Sequence, residues 1–260
     1  QYREPLEKAP TPPFSVERGF ATLVSLDHDR TELTVVNTGF GSHFNPFIRP
    51  FGEKQILMTG SLGGLDAFCQ WLGLKKDEIY VVTISKSPFP VRNRRIVVPT
   101  TRTVSMKAEE RKKNFPKLVK TREEILEAHS EDRGVIHVNS YELVRDLKEA
   151  IKNPRLLAPV RSDEHGFLYH RFVTDGAKDA VFVSPGIAEG VDLKDDLARF
   201  QIIASLAFPP NKGLLNSLIF TDDLGRKNEA LKIREMYRQV AIKLIQQVGR
   251  VVRHHEDFGV

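Results

Sequence analysis

Apolar residues in this chain follow two spacings that predict different elements. Close to the C-terminus they recur at steps of three and four, the period of an amphipathic helix, at Ile233, Met236, Tyr237, Val240, Ala241, Leu244 and Val248. Elsewhere they gather into short runs bounded by turn residues, which is typical of strands. Two such runs flank the polar segment 27–30 and predict a hairpin of strands 20–26 and 31–36. Further strands are predicted at 55–58, 79–84, 95–98, 134–138, 179–184 and 200–206.

Helical patterns alternate with these runs. They cover residues 65–72, 142–151, 121–129 and a strongly charged stretch at 105–116. Thr121 is followed three residues later by Glu124, the spacing of a capping box, so we expect a helix to begin there. Strands that alternate with helices predict a mainly parallel sheet covered by helices, which is an α/β fold.

Composition and charge narrow the class of protein. The chain has 260 residues, of which 40% are hydrophobic and 28% charged, as in globular proteins. Its net charge of +5 is compatible with nucleic acid or phosphate ligands. A single cysteine, Cys69, excludes a disulfide framework and a four-cysteine metal or iron–sulfur site within this chain. No apolar run approaches the roughly 20 residues of a membrane span, so we expect no membrane partner.

The most informative run is Gln246–Arg253, at the end of the long helical pattern. Gln246, Arg250 and Arg253 stand at i, i+4 and i+7, so the sequence predicts that they share one helical face. Guanidinium groups are planar, permanently charged forks that suit phosphate, and Gly249 permits a close approach. On the residues alone, a basic last turn that complements the helix dipole is an equal alternative.

Polar groups also follow several predicted strands. Ser61 lies in a small-residue turn after 55–58, and Ser140 and Tyr141 follow 134–138. The carboxyl ends of parallel strands form the ligand edge of an α/β sheet, so we expect these groups there. The segment after 179–184 adds Glu189, Gly190 and Asp192. A Walker-type phosphate loop is absent from the sequence, and His137 is interpreted as a core residue and not as a catalytic base.

Four of these segments together resemble the XPD/DinG-type DNA helicases of superfamily two. The C-terminal Q-x-x-G-R-x-x-R resembles motif VI, and the Asp257-Phe258-Gly259 that follows is similar to the family's D-Y-G. E-G-V-D at 189–192 resembles motif V. Ser140-Tyr141 resembles the end of motif IV, although His137 and Val138 stand where aromatic residues are usual. T-G-S-L at 59–62 resembles motif III, with a glycine pair in place of Ser-Pro.

The resemblance implies a RecA-like αβα sandwich. Residues 91–260 would form helicase motor domain 2, and residues 1–90 would be the last strands of motor domain 1. The implied activity is ATP-driven translocation on single-stranded or forked DNA, from 5′ to 3′, in a process such as DNA repair. The implied cofactors are ATP and Mg²⁺, and an iron–sulfur cluster would lie in an N-terminal part outside this chain. We expect a cytoplasmic protein in a prokaryote and a nuclear one in a eukaryote.

The resemblance also implies roles for individual residues. Arg250 and Arg253 would act as arginine fingers on the γ-phosphoryl group, and Gln246 would sense nucleotide or water. Residues near the nucleotide would be Ser61, Glu189, Gly190, Asp192 and Gly249. Contacts to the DNA backbone would come from Ser140, Tyr141 and Gly190.

Because the Walker A lysine and the D-E-A-H box are absent from the chain, we expect it to hydrolyse no ATP alone. Two alternatives stay open. The chain could be a nucleic-acid-binding or scaffolding module that kept the fold without the motor, or a generic α/β enzyme with a phosphate ligand.

Overall fold

A computed structural model describes residues 20–27, 30–37, 44–84, 87, 89–98, 108–174, 177–186, 191–209 and 229–260. The chain divides into two compact units, Gln1–Val82 with Pro209–Arg238, and Thr83–Phe208 with Gln239–Val260. The boundary between motor domains at residue 90 stays a prediction.

The first unit contains the predicted hairpin. Strand β1 (Phe20–Asp27) pairs antiparallel with β2 (Arg30–Asn37). Helix α1 (Leu65–Leu72) follows Gly64 and is followed by Gly73. Both glycines have positive φ, 113° and 65°, where a residue with a Cβ would be strained. The predicted helix at 65–72 is therefore confirmed, with glycine marking each end.

Three of the strands predicted from the sequence are wrong. Residues 55–58 and 79–84 form no strand, and residues 95–98 form none either. Ile56 and Met58 are 88% and 90% exposed. An apolar run becomes a strand only when a neighbour accepts its backbone hydrogen bonds, and none of the described residues pairs with these segments.

A four-stranded parallel sheet forms the centre of the second unit. Its strands are β3 (Gly134–His137), β4 (Leu156–Leu157), β5 (Val181–Ser184) and β6 (Phe200–Ile203), in the spatial order β4-β5-β3-β6. Every residue of β3 and β5 is buried, which explains why each strand appears in the sequence as an apolar run, with one polar residue at its end. The predicted α/β fold with a parallel sheet is confirmed.

Helices cover both faces of this sheet. On one face, Ile136 and Val183 pack in a core with α2 (Ala108–Ala128) and α3 (Tyr141–Ala150). On the other face, Val135 packs with α4 (Ser162–Thr174) and with the segment near Val251. Adjacent residues of β3 thus belong to opposite cores, as the alternation of side chains along a strand requires.

The predicted capping box at Thr121 is wrong, because no helix begins there. The helix is continuous from Ala108 to Ala128, with Pro116 inside it, where two separate helices were predicted. Thr121 lies in the middle, and its hydroxyl donates to the carbonyl of Lys117 at 2.9 Å instead of capping a first turn. The hydroxyl therefore finds its partner one turn back, within the helix.

The last helix, α5 (Glu229–Val248), confirms the long amphipathic pattern. Beyond it, the chain returns to the sheet and runs beside β6. The amide of Gln201 donates to Val260 at 2.7 Å, and the amide of Val260 donates to Arg199 at 3.1 Å. Gly259 makes this contact possible, because a Cβ there would lie 2.1 Å from Val251 Cγ1.

Candidate functional site

The turn after α5 presents the residues of the predicted phosphate-binding face. The helix ends at Val248, and the amide of Arg250 donates to Gln247 at 3.0 Å in a tightened last turn. Gln246 is therefore the only member of the predicted face that lies within the helix. The prediction that Gln246, Arg250 and Arg253 share a helical face is wrong, because the chain leaves the helix at Gly249, a poor helix former.

The two arginines nevertheless converge on one segment. Arg250 Nη1 donates to the carbonyl of Val191 at 2.9 Å, and Arg253 Nε donates to Asp192 Oδ1 at 2.6 Å. Their targets are consecutive residues in the segment that follows β5. The geometry thus joins the C-terminal run to the E-G-V-D run, although the helical face that was expected to align the arginines does not form.

The pair formed by Arg253 and Asp192 is open to solvent. The two side chains are 36% and 58% exposed. An exposed ion pair contributes little to stability, and its members can exchange partners at small cost. The guanidinium of Arg253 is therefore accessible to an anion from solution.

A buried carboxylate fixes the backbone at Arg253. Asp257 Oδ2 accepts from the amide of Arg253 at 3.0 Å, and Oδ1 accepts from Arg199 Nη1 at 2.9 Å. The guanidinium of Arg199 also stacks on Phe258, 4.1 Å from the ring centroid. The Asp257-Phe258-Gly259 triplet was the sequence signal for this network. No pattern in the sequence indicated Arg199, which lies far from Asp257 along the chain.

The carboxyl ends of β3 and β5 carry two further polar groups, in register with each other. His137 is buried, and its Nε2 lies 3.2 Å from Gln201 Oε1. Burial lowers the pKa of His137 to about 4; the bond to Gln201 opposes this shift, and the charge of Arg250 reinforces it. His137 is therefore neutral at pH 7, and it is a core residue as interpreted from the sequence.

Ser184 ends β5 in a similar polar contact. Its hydroxyl lies 2.7 Å from His165 Nε2 and accepts from the amide of Gly186 at 3.0 Å. Burial lowers the pKa of His165, so the imidazole is neutral at pH 7. These bonds hold the start of the segment that leads toward Asp192. The sequence interpretation missed both His165 and Ser184.

The other predicted site residues have local roles in the structure. Ser140 Oγ accepts from the amide of Leu143 at 3.2 Å and so caps α3. Tyr141 is partly buried against the core. In the first unit, the amide of Ser61 donates to Thr59 Oγ1 at 3.2 Å. Glu189 and Gly190 lie outside the described residues. The functional roles of all these residues stay predictions.

One group of side chains has the spacing of metal ligands. Asp195, His254 and Asp257 bring ligand atoms within 4.8 Å of one another. A hydrogen bond from His254 lowers the pKa of Asp195. Asp257, however, already accepts from Arg199 and from the amide of Arg253. Because a guanidinium compensates its charge, the group does not provide the surplus of negative charge that a cation requires.

A parallel sheet with helices on both faces is consistent with a helicase C-terminal domain. The family model described as the helicase C-terminal domain matches residues 123–260, and the chain belongs to this family. The resemblance to the C-terminal part of XPD/DinG-type helicases is thereby confirmed. Among the described residues, no helix is long and apolar enough to cross a bilayer.

Several curated proteins are similar to part of the chain. The regulator of telomere elongation helicase 1 of Homo sapiens is 31% identical over 101 residues, which are 35% of this chain and 8% of that protein. The homologue from Caenorhabditis briggsae is 35% identical over 80 residues, 28% of this chain and 8% of the relative. The homologue from Aedes aegypti is 33% identical over 99 residues, 35% of this chain and 10% of the relative. The matched part of the chain thus spans about a tenth or less of these relatives.

Proposed function

We propose that this chain is part of an ATP-dependent DNA helicase motor and that Arg250 and Arg253 are its arginine fingers. The observation that carries the proposal is their convergence on consecutive residues, Val191 and Asp192, in the segment that follows a central parallel strand. The segments that follow the carboxyl ends of parallel strands are where α/β folds usually bind ligands, which supports the proposal. Family membership supports the same interpretation.

The residues present fit a polyphosphate. Arg253 pairs with an exposed carboxylate that it can exchange for phosphate, and Arg250 donates to the carbonyl of Val191, the residue next to that carboxylate. Bound ATP would supply the phosphoryl group that is transferred, and Mg²⁺ would neutralise part of its negative charge. Arg250 and Arg253 would stabilise the negative charge that develops on that group, and Gln246 would lie beside them at the end of α5.

The residues around the arginines would set their geometry. Asp192 orients Arg253 through its carboxylate, while Gly249 accepts from Arg253 Nη1 at 3.2 Å. Glu189 and Gly190 would continue the same edge toward the DNA. Neither Glu189 nor Asp192 would act as a general acid or base in this proposal.

Single-stranded or forked DNA would be the partner, with translocation from 5′ to 3′. Ser140 and Tyr141 follow the central strand β3, so the start of α3 is the proposed contact to the sugar–phosphate backbone. The similar proteins are named as helicases, which agrees with a nucleic acid substrate.

The remaining half of the ATP site would come from helicase motor domain 1. Residues 1–90 would be its last strands, with Ser61 near the nucleotide. The apolar side chains of Ile56, Met58 and Tyr80 are exposed. This supports the proposal, because apolar runs of this kind become buried when neighbouring strands of the same sheet pair with them. An iron–sulfur cluster would belong to that other part of the motor.

The test separates a motor from a module that only binds nucleic acid. The chain alone should hydrolyse no ATP, and Arg250→Ala should leave its affinity for single-stranded DNA within about twofold, since the guanidinium serves the nucleotide. A binding module would instead lose DNA affinity in Arg250→Ala and show no response to nucleotide in the whole protein. Robust ATP hydrolysis by the isolated chain would contradict the proposal.

A further inference from the structure

The side chain of Gln201 connects the central strand of the sheet to the end of α5. Its Oε1 lies 3.2 Å from His137 Nε2, and its Nε2 donates to the carbonyl of Val248 at 3.3 Å. Val248 is the last residue of α5, two positions before Arg250. One amide side chain thus reaches both β3 and the turn that carries an arginine of the proposed site.

The chemistry of the groups determines which atom donates in each of the two hydrogen bonds of Gln201. A backbone carbonyl can only accept, so the amide nitrogen of Gln201 must face Val248 and its oxygen must face His137. An oxygen without a proton requires a donor, so His137 must carry its proton on Nε2. This leaves Nδ1 as the unprotonated nitrogen, and it has no partner among the described residues.

Gln201 is itself rigidly held. It lies in β6, paired with Val135 of β3, and its amide donates to Val260 at 2.7 Å. Because β3 on one side and the C-terminal segment at Val260 on the other fix its backbone, the side chain has a defined origin from which to hold Val248. The carbonyls of a helix's last turn lack intrahelical partners, so this bond restrains the point at which α5 ends.

We propose that Gln201 and His137 are positioning residues for Arg250. Gln201 would hold the end of α5 against the sheet, and His137 would orient the amide so that its nitrogen faces Val248. Arg250 would then be held at two points, through the backbone near Val248 and through its own bond to Val191. This proposal rests on the proposed function, in which Arg250 acts on the nucleotide.

The kinetic test uses the whole protein with Gln201→Met, which conserves volume and removes both bonds. A misplaced arginine stabilises the transition state less well but leaves the binding of ATP unchanged. We therefore expect kcat for DNA-stimulated ATP hydrolysis to fall about tenfold or more, and KM for ATP to stay within about twofold. Leu126→Ala, in the core on the opposite face of the sheet, is the matched control. It should lower stability and leave kcat unchanged. Equal kcat values for Gln201→Met and the unaltered protein would overturn the proposal.

Nitrogen NMR of the imidazole gives a readout that does not depend on catalysis. In the unaltered chain at pH 7, His137 should be the neutral tautomer that carries its proton on Nε2. In Gln201→Met, Nε2 should no longer be the preferred position of that proton. A proton on Nδ1 of the unaltered chain would overturn the proposal, because the amide could not then be oriented as described.

Arg250→Ala, measured in parallel, separates the two hypotheses. If it lowers kcat while Gln201→Met does not, the positioning role fails and the proposed function stands. If Arg250→Ala leaves the rate unchanged, the proposed function fails and the positioning role fails with it, whatever the tautomer of His137.

Discussion

Arg253 and Asp192, 61 residues apart in sequence, form an ion pair in which Nε lies 2.6 Å from Oδ1. The pair joins the turn after the last helix to the segment after β5. Because the pair is exposed, it should contribute little to the free energy of unfolding. Its main role should be to orient the guanidinium of Arg253.

Replacing the acid of this pair tests that distinction. Asp192→Asn should change the free energy of unfolding by less than about 1 kcal/mol, while ATP hydrolysis by the whole protein should fall about tenfold or more as Arg253 loses its orientation. Asp163→Asn, which removes an exposed partner of Arg161, is the matched control and should change neither quantity. Full activity in Asp192→Asn would show that the pair does not orient the arginine.

The carboxylate of Asp257 should matter far more for stability. It is 0% exposed and bound to Arg199, whereas Asp196, bound to the same arginine at 2.8 Å, is 94% exposed. Asp257→Ala should cost about 1–3 kcal/mol because it removes the buried acceptor of the Arg199 guanidinium and of the Arg253 amide, although Asp196 still pairs with Arg199. Asp196→Ala should cost less than about 1 kcal/mol. Urea denaturation of the two variants measures the difference, and similar losses would contradict this assignment.

Gly259 should tolerate no side chain. A Cβ there would lie 2.1 Å from Val251 Cγ1 and 3.1 Å from the carbonyl of Arg199. We expect Gly259→Ala to destabilise the chain by about 1–3 kcal/mol through overpacking. Gly166→Ala, inside α4 with nothing within 4 Å of the new Cβ, should stabilise it by about 0.5–1 kcal/mol. Thermal unfolding should therefore shift in opposite directions, and a shift in the same direction would count against the packing described.

Stability should depend on pH through His137. Burial lowers the pKa of His137 from 6.5 to about 4, so the unfolded chain binds a proton more readily than the folded one. The contribution is fully present above pH 6.5 and is lost as the pH falls toward 4, by about 3 kcal/mol in total. The lowered pKa of His165 acts in the same direction.

Urea titrations between pH 7 and 4 can isolate this contribution. His137→Phe, which removes the buried imidazole, should flatten the pH dependence. If His137→Phe keeps the slope of the unaltered chain, His137 is not the group responsible.

The sequence predicted three of the four strands of the second unit's sheet and the last helix, because their signals are local, but it did not predict the two-residue strand β4. The strands β3 and β5 are continuous apolar runs, and α5 has a clear helical period. Helix α4 was missed, since Gly166 and a mixture of histidine, tyrosine and charged residues hide its periodicity. The runs at 55–58 and 79–84 look like strands locally, yet a strand also requires a partner.

The candidate site was predicted in composition but not in geometry. The motif resemblance singled out Arg250, Arg253 and Asp192, and the structure brings these three residues together. The shared helical face was wrong because Gly249 lets the chain leave the helix. The supporting bonds of Gln201 and Arg199 join residues 47 and 58 positions apart, respectively, and no local pattern encodes such contacts.

The most direct test of the motor proposal is the steady-state rate of DNA-stimulated ATP hydrolysis by the whole protein with Arg250→Ala. Removal of an arginine finger should lower kcat by about 10³-fold, with DNA affinity and the free energy of unfolding little changed. A kcat within about twofold of the unaltered protein would contradict the proposal that this arginine acts on the nucleotide.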